Sequence, residues 1–171
     1  MKITIINTGG TFNKRYNPLK GLLEVPSDNI ALDKILESCH NIEFEIKNIV
    51  SKDSLDMNDE DRQIITDAIK KSTNDKIIVI HGTDTVDLTS EFLYKEIDNK
   101  KIVFTGAMVP ISIDEVEATM NFSLALGFLS ANVDNGIYIA MHGVVVAHSK
   151  LKKDKNVGKF LVYNEPLKLN Q

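Results

Sequence analysis

The chain has a single cysteine, Cys39, no tryptophan and only four prolines in 171 residues. One cysteine excludes an internal disulfide. Lying after Leu36 in a helical pattern, Cys39 reads as a packing residue rather than a nucleophile. No apolar run approaches the ~20 residues of a membrane-spanning helix, and the N-terminal run is too short for a secretory signal. A basic patch is missing too: the formal net charge is −4, and the one lysine-rich stretch, 150–159, is short and interrupted by Asp154. That stretch reads as a solvated loop. These shortages exclude nucleic acid and membrane as partners. The class expected is a cytoplasmic enzyme or binding protein. Internal repeats, low-complexity tracts and domain boundaries are absent as well.

What is present suffices for one domain with a real core, because 43% of the residues are apolar. The chain is organised around Ile3-Thr4-Ile5-Ile6-Asn7-Thr8-Gly9-Gly10-Thr11-Phe12. Its β-branched run predicts a buried strand of a parallel sheet, broken by two glycines that let the backbone turn sharply and approach a ligand. A threonine hydroxyl follows at once. Taken alone, this is also how an ordinary strand-to-loop turn reads. The same grammar returns in Ile77-Ile78-Val79-Ile80-His81-Gly82-Thr83-Asp84-Thr85. Two such turns can place Thr11, Thr83 and Asp84 in one crevice at the carboxyl edge of a sheet.

Between these stretches, residues 13–26 hold two prolines and Tyr16, long enough for a lid or binding loop. From Ser27 the spacing of Ile30, Leu32, Ile35 and Leu36 predicts a helix, with Ser27 or Asp28 as its N-cap. Residues 43–50 alternate as a half-buried edge strand and end in the polar turn Lys52-Asp53-Ser54-Leu55. Asn58 starts a helix with Asp59, Glu60 and Asp61 in its first turn, suited to the positive end of its dipole. A further helix follows Thr85. Lys101 to Phe104 forms a strand ending in Thr105-Gly106-Ala107-Met108, residues 119–131 form the most apolar helix, and residues 136–146 form a fifth strand kinked at Gly143. Alternating strands and helices predict a three-layer α/β/α domain with a mainly parallel, flavodoxin-like sheet. Thr11, Asp53-Ser54, Thr83-Asp84 and Ala107 then emerge at one edge.

The chemistry suggested is nucleophilic. A threonine hydroxyl needs a group to take its proton, and Asp84 serves only through a partner such as a lysine amine. A neighbouring carboxylate stabilises the ammonium, so that lysine either loses its proton transiently or acts through its charge. Backbone amides around Gly10-Thr11 and Gly82-Thr83 suit a carboxylate or a developing oxyanion. Gly9-Gly10 matches neither the dinucleotide fingerprint nor a P-loop. His40, His81, His142 and His148 have no metal-ligand spacing, so neither cofactor nor metal is expected. His81 reads as a strand-end residue supporting the Thr83 turn.

Thr8-Gly9-Gly10-Thr11, Lys52-Asp53-Ser54-Leu55-Asp56-Met57-Asn58-Asp59, His81-Gly82-Thr83-Asp84-Thr85 and Thr105-Gly106-Ala107-Met108 with Pro110 resemble, in order and spacing, motifs of the bacterial-type L-asparaginase/glutaminase family. The resemblance covers nearly the whole chain, residues 1–171, but only that family's N-terminal domain, so the smaller C-terminal domain is expected to be absent. It implies Thr11 as first nucleophile, with Thr83, Asp84 and a lysine as second catalytic group. That lysine falls on Lys153, with Lys152 and Lys155 as near alternatives. Gly10, Asp53, Ser54, Gly82 and the Ala107 carbonyl are implied as substrate contacts. Four departures accompany it: Leu55 stands for a glutamine, Val109 for an arginine, Glu117 for an aspartate, and Leu23 for the lid tyrosine, leaving Tyr16 as a substitute. Asn121 keeps its place.

The resemblance implies an amidohydrolase releasing ammonia from L-asparagine or a related small amide through an acyl-enzyme. A binding or regulatory module that keeps the site without turnover, and an enzyme for another amide or a small lactam, stand beside it. The helix at 119–131 carries Phe122, Leu126 and Leu129 on one side and Leu124 and Phe128 on another. It is therefore expected to pack near its symmetry mate in a homodimer, the alternative being internal core under residues 160–167.

Overall fold

The computed structural model describes residues 1–164. In chain order the elements are β1 (Lys2–Gly9), α1 (Gly10–Asn13), β2 (Arg15–Asn17), β3 (Leu22–Glu24), α2 (Ile30–Leu36), β4 (Glu43–Lys52), α3 (Asp59–Lys70), β5 (Lys76–Ile80), α4 (Val86–Tyr94), β6 (Lys101–Thr105), α5 (Glu115–Ser130), β7 (Gly136–Met141), β8 (Val144–Ala147), β9 (Leu151–Asp154) and β10 (Lys159–Val162). Six strands form one sheet in the order β4-β1-β5-β6-β7-β8, parallel except for β8. Counting only its parallel strands, this is the flavodoxin-like order 2-1-3-4-5. The expected three-layer architecture is observed. The chain leaves β1 for the β4 edge and returns on the other side at β5, so the crevice between β1 and β5 is the topological switch point.

Alternation along the strands builds two cores. Ile3, Ile5, Ile78, Ile80 and Val103 pack against α2 and α5 through Leu32, Ile35, Phe122, Ala125 and Leu129. Ile6, Ile77, Val79, Ile102 and Phe104 pack against α3 and α4 through Ile65, Ile69 and Leu93. Helix α3 begins in a capping box: Asn58 accepts from the Asp61 N–H while the Asp61 carboxylate accepts from the Asn58 N–H. No helix among the described residues is long and apolar enough to cross a membrane.

Several expectations are corrected. Residues 136–146 are not one kinked strand but two antiparallel ones. His142 and Gly143 between them have φ of 51° and 89°, the two-residue turn with positive φ at both centres that reverses a chain tightly. Residues 150–159 are not a solvated loop: β9 and β10 pair antiparallel, and Leu151 and Phe160 are buried in the second core. Lysine-rich sequence masked that strand, because only alternate residues face inward. The loop after Thr11 contains a short hairpin, β2 with β3. Asn29 stands at the N-cap position of α2 without a side-chain capping bond, and it is Asp28 that accepts from the Ile30 N–H. Cys39 lies past α2 and is half-buried, and burial pushes its thiol pKa up.

In α5, Phe122 and Leu129 are core, while Leu124, Leu126 and Phe128 pack partly against it, Phe128 on the Tyr138 ring. Phe160 lies in the opposite core, and residues 165–167 of the expected covering segment fall outside the described residues. Since Phe122 is fully enclosed, Phe122→Ala leaves a cavity. We expect it to cost ~3–5 kcal/mol in urea unfolding.

Candidate active site

Four turns meet at the carboxyl edge, and close backbone approach joins three of them. A Cβ on Gly10, which has φ of 68°, would lie 2.5 Å from the Gly82 backbone, and a Cβ on Gly82 would lie 2.6 Å from the Ser54 side chain. Only glycine fits at either position. The turn after β1 therefore rests on the turn after β5, which rests on Ser54. Hydrogen bonds complete the joint. The Asp84 N–H donates to Ser54 Oγ (3.3 Å), and Thr85 Oγ1 donates to the Ser54 carbonyl (2.8 Å). The fourth turn is tied on by the Ile111 N–H to the Phe12 carbonyl (3.4 Å) and Ser112 Oγ to the Lys14 carbonyl (2.8 Å).

Ser54 reaches this position because β4 bulges. Its register against β1 shifts between Asn7 and Gly9, and Val50 and Ser51 adopt left-handed φ of 70° and 51°. For a β-branched residue this conformation costs roughly 1–2 kcal/mol. Bulges of this kind re-aim side chains next to functional sites. Lys52 then anchors the turn, donating to both Asp61 carboxylate oxygens at 2.8 Å.

Lys153, on β9, donates to Thr83 Oγ1 (3.0 Å) and Asp84 Oδ1 (2.9 Å). Its side chain is 14% exposed. Lys152 instead pairs with Asp87, and Lys155 lies exposed beyond β9. Thr11 is half-buried on the single turn α1, and Thr83 is buried. Ala107 is fully buried in the fourth turn. Glu117 holds that turn by accepting from the Met108 and Val109 N–H groups (2.9 and 3.0 Å), with His142 Nε2 at 3.1 Å. Asn121 spans the Gly106 carbonyl and the His142 N–H.

Asp53 is occupied by its own neighbours: one oxygen accepts from the Leu55 N–H and the other from Lys14 Nζ. Burial opposes its ionisation, but Lys14, that N–H and the nearby Lys153 charge outweigh it and hold the carboxyl below its usual range. Lys14 and His142 carried no signal in the sequence, since only the folded turns bring them against Asp53 and Glu117. Tyr16 and Leu23 pair directly across the β2–β3 hairpin, and Tyr16 is 64% exposed. A cleft of about 920 Å³ opens under this hairpin, with Lys14, Tyr16, Leu23, Asp53 and Leu55 among its walls. Thr11, Ser54 and Thr83 are not in those walls, so the cleft adjoins the Thr11–Thr83 cluster at Asp53 rather than containing it.

The model of the asparaginase N-terminal family matches residues 2–159. The chain belongs to that family. An L-asparaginase of Thermococcus kodakarensis is 28% identical over 162 residues, covering 92% of this chain and 49% of that protein. A glutaminase-asparaginase of Acinetobacter glutaminasificans is 22% identical, covering 91% and 50% respectively. The solved structure of the thermostable Thermococcus kodakarensis L-asparaginase superposes with a TM-score of 0.84 at 28% identity, covering 97% of this chain and 52% of that one. The chain thus spans about half the length of the curated relatives it matches.

His81, beneath the site, is fully enclosed. Its Nδ1 lies 2.8 Å from the Gly82 carbonyl, which can only accept, so Nδ1 carries the proton. Burial lowers its pKa from 6.5 to about 4. The unfolded chain therefore binds the proton first as pH falls. The stability supplied by neutral His81 is complete above pH 6.5 and is lost progressively down to about pH 4, by about 3 kcal/mol. Urea unfolding of the wild type and of His81→Gln between pH 7 and 4 isolates this component, which we expect the variant to lack. Gly10→Ala should cost at least ~2 kcal/mol in the same assay, because the obstacle is backbone.

Proposed function

We propose that the chain provides the nucleophilic half-site of an amidohydrolase that releases ammonia from L-asparagine or a related small amide. The observation that carries this reading is the Lys153–Thr83–Asp84 contact in the same crevice as Thr11. Thr11 Oγ attacks the amide carbon, the C–N bond breaks, and the nitrogen leaves as ammonia with the proton that Thr11 gives up. An ester on Thr11 remains. Water cleaves it, returning the hydroxyl and releasing the acid.

Thr83 accepts a hydrogen bond from Lys153, so its own O–H is free to donate into the crevice while Lys153 is charged. It serves as a proton acceptor only when Lys153 has transiently given up a proton. Asp84 holds the ammonium in place. Backbone amides of the Gly10-Thr11 and Gly82-Thr83 turns receive the oxyanion. Ser54, Asp53, Gly10, Gly82 and the Ala107 carbonyl bind the rest of the substrate, and Tyr16 covers it from the hairpin.

One observation favours a second reading, a module that binds amides without turnover. Leu55 presents a 63% exposed apolar side chain beside Ser54, where a polar substrate contact is expected. A homodimer is also part of the proposal, on α5. Its exposed residues Val116 and Met120, with Ile113 before it, form an apolar strip left uncovered by the domain's own core. A monomer mass in light scattering at micromolar concentration sinks that part.

Ammonia release measured across several amides, beside calorimetric titration of asparagine and aspartate, decides between turnover and binding. We expect Thr11→Ala to abolish ammonia release while the protein stays folded. Binding without ammonia in the wild type supports the second reading. Asp84→Asn keeps the shape but removes the charge facing Lys153, and turnover should fall at least ~100-fold. An unchanged rate in folded Asp84→Asn removes this turn from the catalytic machinery.

A further inference from the structure

The strand bearing Lys153 is not part of the main sheet. Among the described residues β9 pairs only with β10, so no ladder of backbone hydrogen bonds to the domain sets its register at the site. Leu151 and Phe160 bury against the second core, but apolar burial does not by itself fix register along a surface. Side chains along α4 meet this segment instead. Asp84, just before the helix, meets Lys153, and Asp87 Oδ2 meets Lys152 Nζ at 2.9 Å. One turn on, Glu91 Oε2 meets His148 Nε2 at 3.1 Å, and the Tyr94 ring lies 4.7 Å from the same imidazole. Positions 84, 87, 91 and 94 have the spacing of one helix face. They receive 153, 152 and 148 in reverse order.

We infer that Lys152 and Asp87 are positioning residues whose ion pair pins β9 in the register that holds Lys153 against Thr83 and Asp84. A slip by one residue moves each ammonium off the carboxylate it now meets, taking Lys153 from Thr83 and Asp84 and Lys152 from Asp87. Lys152 and Lys153 are adjacent and chemically identical, and only the spacing of Asp84 and Asp87 tells them apart. Asp87 suits the task. Its side chain is 11% exposed against 43% for Lys152, which restricts where the ammonium can sit, and it occupies the first turn of α4, where an anion is favoured. Lys152 keeps its ammonium partly in water while Asp87 is nearly enclosed, so the melting temperature of each variant is what separates an effect on position from one on folding. The catalytic part of this inference rests on the amidohydrolase reading above, whereas the positional part does not.

The test uses the full chain with Lys152→Gln, Asp87→Asn and Lys152→Arg. Two readouts are taken: ammonia-release kinetics, and trace acetylation by acetic anhydride quantified at each lysine by peptide mass spectrometry. We expect Lys152→Gln and Asp87→Asn to melt near the wild type and to lower kcat about 10- to 100-fold with KM little changed, as for a displaced catalytic group. Acetylation at Lys153 should rise at least about twofold while that at the remote Lys2 stays constant. Lys152→Arg keeps the charge pair and should restore both readouts. If the wild type releases no ammonia from any amide tested, the amidohydrolase reading fails, and a rise in Lys153 acetylation still supports the pin. Wild-type acetylation at Lys153 in folded Lys152→Gln and Asp87→Asn overturns it. So does a loss of activity that only follows a fall in melting temperature and is not restored by Lys152→Arg.

Discussion

Gly10 and Gly82 approach so closely that neither can carry a side chain, and Gly82 in turn rests on Ser54. The site depends on that three-layered contact of backbone. It occurs at the sheet's switch point, where β1 and β5 diverge from each other to opposite helical layers, so the contact also sets the spacing between Thr11 and Thr83. The bulge in β4 and the two left-handed residues within it follow from the same constraint. They lie just before the end of β4, where the chain turns to bring Ser54 against Gly82. Beyond the strained Val50 and Ser51, the Lys52–Asp61 pair and the capping box of α3 hold the far end of the turn.

Around this joint polar and charged side chains are arranged in pairs, each fastening one hairpin or turn to the frame. Lys14 with Asp53 ties the start of the β2–β3 hairpin to the Ser54 turn. Glu117 with His142 ties the Ala107 turn to the β7–β8 hairpin. Lys153 with Asp84, and Lys152 with Asp87, tie the β9–β10 hairpin to the start of α4. Their value lies in geometry more than in folding free energy, since partly exposed pairs are individually weak. Thr11 and Lys153 lie on separate elements, and on the proposed reading such fastening is what keeps them in one crevice.

The fold was legible because its strands are short apolar runs and its helices carry caps and stripes. Ile77 to Ile80 and the Asn58 start of α3 are clear cases. The turns bearing Thr11, Ser54, Thr83 and Ala107 were legible from their position after strands. What could not be read was anything decided by a reversal or a partner. His142 looks like an ordinary strand residue until its φ turns positive. Residues 150–159 look solvated because lysines hide the alternation that buries Leu151 and Phe160. Asp53 reads as a substrate contact until the fold sets the Lys14 ammonium against it. Lys152 and Lys153 stand side by side on β9, and only their partners, Asp87 and Asp84, tell them apart.

The central claim is that Thr11 carries an ester during turnover. Acid-quenching the protein during steady-state reaction with asparagine, followed by peptide mass spectrometry, tests it most directly. The account predicts one aspartyl group on the peptide containing Thr11, lost on standing with water and never formed in Thr11→Ala. Ammonia release by a protein whose acyl group resides on another residue, or by Thr11→Ala itself, would contradict it.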